Sequence, residues 1–194
     1  MLGILLAAAF LFSCFPCQAK AVSTSAASAI LVDVDSGRVL YEQNADARML
    51  IASTTKILTA LVAIEEGDLS DTVKVSREAA YTEGSSMYLQ EGEELTLEAL
   101  LYGLLLCSGN DAAVAIADHV GGSQEGFVKL MNGKAKELGM TNSSFANPNG
   151  LDAEGHYSTA RDMAKLACAA VENETLMRIA STRQVTIGSR TMTN

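Results

Sequence analysis

The chain has 194 residues with 48% hydrophobic residues and only two prolines, which is enough for one domain with a real core. Its formal net charge of −9 excludes the basic face that nucleic-acid binding needs. With two histidines and, once the leader's Cys14 and Cys17 are set aside, no His or Cys pair at ligand spacing, the residues predict no metal site, and His119 and His156 read as structural.

The chain opens on MLGILLAAAFLFSCFPCQAKA. This apolar run is short for a membrane span, and Ala19-Lys20-Ala21 fits a small-x-small cleavage pattern, so residues 1–21 read as a signal peptide and residues 22–194 as the mature domain. No Lys or Arg precedes the run. Leu11-Phe12-Ser13-Cys14 loosely resembles a lipoprotein cleavage box, although Phe12 is bulky for one. Beyond the leader only Cys107 and Cys168 remain, both in apolar helical stretches, and they read as buried small side chains rather than a disulfide.

AILVDVDSGRVLYEQN then predicts a β-hairpin. Ile30, Val32 and Val34 alternate on one face, Asp35-Ser36-Gly37 turn, and Arg38 to Glu42 return. The next element, in IASTTKILTAL, is a helix apolar nearly all round that ends near Gly67, with Ser53 suited to its N-cap. TVKVS is β-like, and the loop YTEGSSMYLQEGEE follows it. Thr96 caps a helix TLEALLYGLLLC, Asp111 caps DAAVAIADHV up to Gly121-Gly122, and Ser123 caps a third helix that ends at Gly139. After the turn-rich TNSSFANPNGLDAEGHY, Ser158 caps STARDMAKLACAAV. RQVTIGSRTMT predicts a second hairpin turning at Gly188-Ser189. The Asn-x-Ser/Thr triplets at Asn142 and Asn173 read as chance. Two strands alone do not make a stable sheet, and their free edges are expected to pair with chain that follows Asn194.

Lys56 is the anomaly. An N-cap's usual partner three residues on is Glu or Gln, whereas a lysine there opposes the helix macrodipole and is carried into an apolar helix as well. Spacing of i and i+3 lets the Ser53 hydroxyl and the Lys56 amine meet on one face. Burial and the helix N-terminus both disfavour the ammonium, so the amine can take a proton from serine, the general recipe for covalent acyl transfer. Ser108-Gly109-Asn110 falls in the break between two apolar helices. By itself it is either a helix–helix turn or a pair of polar groups projecting into the cleft that holds Ser53.

Ser-x-x-Lys opening an apolar helix and Ser-Gly-Asn between two later ones belong to the motif set of penicillin-binding proteins and class A β-lactamases. The chain resembles the low-molecular-mass penicillin-binding proteins, the serine-type D-alanyl-D-alanine carboxypeptidases. The resemblance extends over SAILVDVDSGRVLYEQN, IASTTKILTA, SSMYLQEGEELT, SGNDAAVAIAD, FVKLMNGKAKELGMTNSSFANPNGL and GHYSTARDMAKLA. Ser-Gly-Asn is its carboxypeptidase form, where class A β-lactamases carry Ser-Asp-Asn.

The resemblance implies an α+β transpeptidase-like fold, here its helical lobe plus the N-terminal hairpin. It implies an exported, extracytoplasmic enzyme without a cofactor, acting on peptidoglycan stem peptides that end in D-Ala-D-Ala and acylated by β-lactams. Membrane association, through the leader or a C-terminal region, is left open. Ser53 takes the position of the nucleophile and Lys56 that of its base. Ser108 takes that of a proton relay to the departing D-alanine, and Asn110 binds the substrate backbone and orients Lys56. Two departures stand out: Leu50 replaces a frequent proline, and no Lys-Thr-Gly follows Ser108. That motif would bind the substrate carboxylate and supply a second oxyanion donor, so the 194 residues are expected to be a fragment and close to inactive. The alternatives are a serine β-lactamase and a non-catalytic wall-associated relative.

Overall fold

A computed structural model of the chain describes residues 24–194. The expected signal peptide and the cysteines at 14 and 17 lie outside the described residues. The elements run β1 (Ala29–Val32), β2 (Val39–Gln43), a 3-10 turn (Ala52–Thr54), α1 (Thr55–Glu66), β3 (Thr72–Lys74) and α2 (Arg77–Ala80). They continue with β4 (Glu94–Thr96), α3 (Leu97–Leu106), α4 (Asn110–Gly121), α5 (Gln124–Glu137), α6 (Ala160–Glu172), α7 (Glu174–Ala180), β5 (Gln184–Ile187) and β6 (Arg190–Thr193). Pairing is antiparallel throughout the described residues, in three two-stranded ribbons: β1 with β2, β3 with β4, and β5 with β6.

Helix α1 is the axis of the helical body. Leu58, Ala60, Leu61, Val62 and Ala63 are all buried, so almost every face is covered, as its composition predicts. It packs against α3, α4, α5, α6 and α7. Leu100, Leu101 and Leu104 from α3, Ile116 from α4, Phe127 and Met131 from α5, and Leu166 from α6 complete the core around it. Gly67 ends α1 because a side chain there would lie 2.6 Å from Leu97 Cδ2 and 2.9 Å from the Ala63 carbonyl.

Both hairpins form where the alternation places them, with one trim. Val34 and Arg38 fall in the turn rather than the strands, where the Asp33 N–H reaches the Arg38 carbonyl and the Gly37 N–H the Asp33 carbonyl. Arg161 at the start of α6 grips Asp46 and Glu42, tying the first hairpin to the helix beneath it.

Three caps differ from expectation. Ser53 does not cap α1: it lies in the 3-10 turn, and no side chain caps either helix there. Thr159, not Ser158, caps α6 by accepting from the Asp162 N–H, because Ser158 is drawn into a bridge with Met49. Asp111 lies inside α4, whose N-cap is Gly109. Thr96 and Ser123 cap α3 and α5 as their sequences predict. The short α2, capped by Ser76, lies in a stretch with too few residues to show a helical period.

Candidate active site

The 3-10 turn presents Ser53, exposed, at the mouth of a cleft of about 500 Å³. Its walls include Gly84 and Ser85 from the loop before β4, Asn110 from α4, and Asn149 to Asp152 from the loop before α6. One turn into α1, Lys56 is 3% exposed. Its Nζ lies 3.0 Å from Ser53 Oγ, 2.7 Å from Asn110 Oδ1 and 2.6 Å from the Asn149 carbonyl.

Those three partners are not equivalent. Asn110 Oδ1 and the Asn149 carbonyl can only accept hydrogen bonds, whereas the Ser53 hydroxyl can also donate one. A protonated Lys56 donates to all three. A neutral Lys56 has two N–H bonds for the two obligate acceptors, and its lone pair is left facing the Ser53 proton. Burial lowers the Lys56 pKa to about 8, opposed by the negative charge of Asp111. The neutral amine is therefore populated near neutral pH, and the geometry commits it to accept from Ser53.

The loop over residues 146–156 holds α1 by its polar side. Thr55 Oγ1 meets His156 Nε2 at 2.8 Å, and Thr59 donates to the Pro148 carbonyl at 2.6 Å. Because the Ala146 N–H donates to His156 Nδ1, that ring is neutral with its proton on Nε2, and burial lowers its pKa. The loop also fastens itself: the Gly150 N–H donates to Asn147 Oδ1 and the Leu151 N–H to Asn149 Oδ1. Gly150 has φ +90°, and a Cβ there would run into the Ala52 carbonyl oxygen. Only glycine allows the loop to press this closely on the turn that carries Ser53. Ala52 itself takes φ 45°, a left-handed conformation rare for a side-chain-bearing residue.

Asn110 is oriented from two directions. Its Nδ2 donates to the Glu83 carbonyl at 2.7 Å and its backbone N–H to the Ser85 carbonyl at 2.7 Å, which turns Oδ1 toward Lys56. Gly84 leaves the room for this, since a Cβ there would sit 2.5 Å from Asn110 Nδ2.

The structure thus brings Ser53, Lys56 and Asn110 into hydrogen-bond contact. Ser108 stands apart. It is half-buried with φ 53°, and its hydroxyl bonds to none of those three residues. The left-handed backbone closes α3, with the Cys107 and Gly109 N–H groups both donating to the Gly103 carbonyl. Cys107 and Cys168 are both free and half-buried. Burial raises the Cys107 pKa.

Sequence reasoning missed Asn149, which contributes a carbonyl and not a side chain, and the Pro148-Asn149-Gly150 loop as a clamp on α1. The available signal was Asn-Pro-Asn-Gly, a run of turn formers long enough to fix a backbone carbonyl. His156 proves structural in its contacts, as expected, and lies directly behind the reactive turn.

Comparison with known proteins agrees with this arrangement. A family model described as peptidase S11, D-alanyl-D-alanine carboxypeptidase, matches residues 16–193. The chain is 47% identical over 162 residues to D-alanyl-D-alanine carboxypeptidase DacF of Bacillus subtilis, covering 81% of this chain and 42% of that protein. It is 43% identical over 188 residues to DacC of Escherichia coli, covering 88% and 47% respectively. The chain spans less than half the length of these curated relatives.

Among solved structures, a D-alanyl-D-alanine carboxypeptidase from Mycobacterium tuberculosis superposes with TM-score 0.85 at 36% identity, covering 89% of this chain and 67% of that one. Penicillin-binding protein 6B from Escherichia coli superposes with TM-score 0.84 at 31% identity, covering 92% and 60%. The α+β fold expected from the sequence is therefore the fold present, with helices forming one body and the strands paired in short ribbons. Matched across nearly all its length by the family model, the chain belongs to the D-alanyl-D-alanine carboxypeptidase family.

Proposed function

We propose that the protein is a serine-type carboxypeptidase that removes the terminal D-alanine from peptidoglycan stem pentapeptides. The observation that carries this reading is the Ser53–Lys56 pair, in which a neutral Lys56 has no donor but the Ser53 hydroxyl to accept from. In the first step Lys56 Nζ takes the Ser53 proton as Oγ attacks the carbonyl carbon of the penultimate D-alanine. The Ser53 N–H supports the developing oxyanion. The C–N bond then breaks, and the leaving amine takes a proton relayed through Ser108, which leaves the acyl group on Oγ. Water hydrolyses this ester and restores Ser53. Asn110 holds the substrate backbone while keeping Lys56 in place.

A penicillin presents a similar acyl group and acylates Ser53 by opening its ring, so its leaving group stays attached. The substrate places the enzyme outside the cytoplasm, consistent with the leader-like residues 1–21. Among the described residues no helix is long and apolar enough to cross a membrane.

Residues 1–194 contain no Lys-Thr-Gly after Ser108. A protein made of these residues alone lacks the oxyanion donor that the resemblance assigns to that motif, and removing one such donor costs about 10²–10³ in rate. We therefore expect slow turnover from these residues alone.

The test is covalent labelling. A reporter-tagged penicillin should form a long-lived adduct that maps to the peptide containing Ser53 and is absent in Ser53→Ala. Release of D-alanine from an acyl-D-Ala-D-Ala peptide should depend on the same residue. Rapid turnover of a chromogenic cephalosporin with no lasting adduct would make the protein a β-lactamase instead. Equal D-alanine release by wild type and Ser53→Ala would remove the enzymatic reading.

A further inference from the structure

Asp111 is a carboxylate that the proposed reaction does not use, yet it is 1% exposed. A buried carboxylate is costly unless its oxygens are filled by donors. Here they are. Ser86 Oγ donates at 2.6 Å, the Met87 N–H at 3.1 Å, the Leu89 N–H at 3.0 Å and the Ala112 N–H at 2.9 Å. Three of those four donors come from one segment, the loop that leads out of α2 and lines the cleft. Helix capping does not require this arrangement, since α3, α5 and α6 are capped by neutral Thr96, Ser123 and Thr159.

The same loop supplies the two carbonyls that orient Asn110, from Glu83 and Ser85. Asp111 therefore grips residues 86–89 immediately downstream of the carbonyls that hold the neighbouring residue on its own helix. The glycine of Ser-Gly-Asn fits this role. A Cβ on Gly109 would lie 2.8 Å from Asp111 Oδ1, so the small residue leaves space for the carboxylate. From outside, Arg190 on β6 donates to the Tyr88 carbonyl at 2.7 Å and pairs with Glu93, closing the loop from its other side.

We propose that Asp111 is a positioning residue for the reactive pair: its carboxylate locks the cleft loop, the loop carbonyls lock the Asn110 amide, and the amide oxygen holds Lys56 against Ser53. This rests on the reading of Lys56 as the base. The groups facing the Lys56 amine are Ser53 on the 3-10 turn, Asn110 on α4 and Asn149 in the 146–156 loop, all neutral. Asp111 is the charge that acts on it, favouring the ammonium. Asp111 thus does two separable things, one geometric and one electrostatic.

The experiment uses the full chain as wild type, Asp111→Asn and Ser86→Ala, with Lys56 followed by the pH titration of its ¹³Cε resonance and Ser53 by its rate of acylation by a reporter-tagged penicillin. Asp111→Asn keeps the volume but turns one acceptor into a donor that faces loop N–H groups. Its acylation should fall by about tenfold or more, since small misplacements of reacting groups cost up to about 10²-fold. Its Lys56 midpoint should move down, because the charge that favours the ammonium is gone. Ser86→Ala removes the hydroxyl that donates to Asp111 and accepts from the Tyr88 N–H but leaves the carboxylate charge in place. It should slow acylation by about threefold, with Lys56 titrating as in wild type.

A carboxylate that only stabilised the fold would lower the thermal midpoint of Asp111→Asn and, through its lost charge, the Lys56 midpoint, while the acylation rate of the folded protein stayed within twofold of wild type. Acylation within twofold of wild type in both variants would overturn the proposal, whatever the Lys56 midpoint does. If Asp111→Asn does not fold, an unchanged acylation rate in Ser86→Ala overturns it. If wild type itself takes no penicillin, the carboxypeptidase reading fails, and an Asn110 side-chain amide resonance left unmoved by Asp111→Asn then overturns the positioning role separately.

Discussion

Lys56 and Ser108, two residues of the motifs read in the sequence, are held by opposite means. Lys56 is fixed by hydrogen bonds from three different segments, the 3-10 turn, α4 and the 146–156 loop. Ser108 is fixed by backbone geometry alone, in a left-handed conformation that closes α3 and leaves its hydroxyl without a bond to the other site residues. The difference follows from their proposed work. A base must keep one lone-pair direction through both protonation states, so its surroundings are over-determined. A relay must take a proton from one place and give it to another, so a hydroxyl free to rotate suits it. The left-handed backbone at Ser108 costs about 1–2 kcal/mol relative to glycine, and a serine is kept there regardless.

The contrast is widest at Lys56. Lys56→Ala should lower the rate of penicillin acylation by about 10²–10⁴, the usual worth of a positioned base. A rate near wild type would move the base elsewhere. Gly150→Ala attacks the same lysine indirectly. Its Cβ would overlap the Ala52 carbonyl, so the loop must retreat and take the Asn149 carbonyl away from Lys56. Acylation should fall by about a hundredfold, and the strain should cost about 1–3 kcal/mol of stability, read as a lower thermal midpoint. If acylation survives while stability drops, Asn149 is dispensable to the base.

A pH profile tests the same lysine without any substitution. The Lys56 pKa lies at about 8 in place of its ordinary 10.5, and the proposed base is its neutral form. Acylation should therefore rise with pH, by about tenfold per unit below the inflection, and level off above about pH 8. A profile that is flat from about pH 6 to about pH 9 would contradict a lysine base. The smallest effects are expected at Ser108, where two substitutions separate hydroxyl from backbone. Ser108→Ala keeps the strained backbone, whereas Ser108→Gly relieves it and should gain about 1 kcal/mol of stability. Both should slow acylation by about tenfold if the hydroxyl relays a proton. Near-normal acylation in both variants would remove the relay role from the Ser108 hydroxyl.

The motif residues are legible in the amino-acid sequence because each breaks a local rule. Lys56 stands where a helix start wants an acid, and Ser53 lies within i to i+3 reach. The order of the longer helices and of the two hairpins is legible for a related reason, since apolar period and turn residues act over a few positions. The short α2 and α7 and the pairing of β3 with β4 are not. Caps are legible only in part. Ser53, Asp111 and Ser158 each have the chemistry of an N-cap, but each is claimed elsewhere: Ser53 by Lys56 three residues on, Asp111 by the distant 86–89 loop and Ser158 by a backbone bridge to the distant Met49. A local preference worth about 1 kcal/mol yields readily to such contacts.

Sequence alone dictates the buried central helix, the two flanking hairpins and the pairing of Ser53 with Lys56, because all of these depend on neighbours within a turn or two of chain. It takes the fold to establish that a backbone carbonyl at Asn149 completes the lysine's surroundings, that Gly150 must press on Ala52, and that three of the four donors to Asp111 come from a distant loop. Backbone carbonyls have no residue identity and close approaches have no local period, so neither leaves a mark in the sequence until the fold brings the segments together.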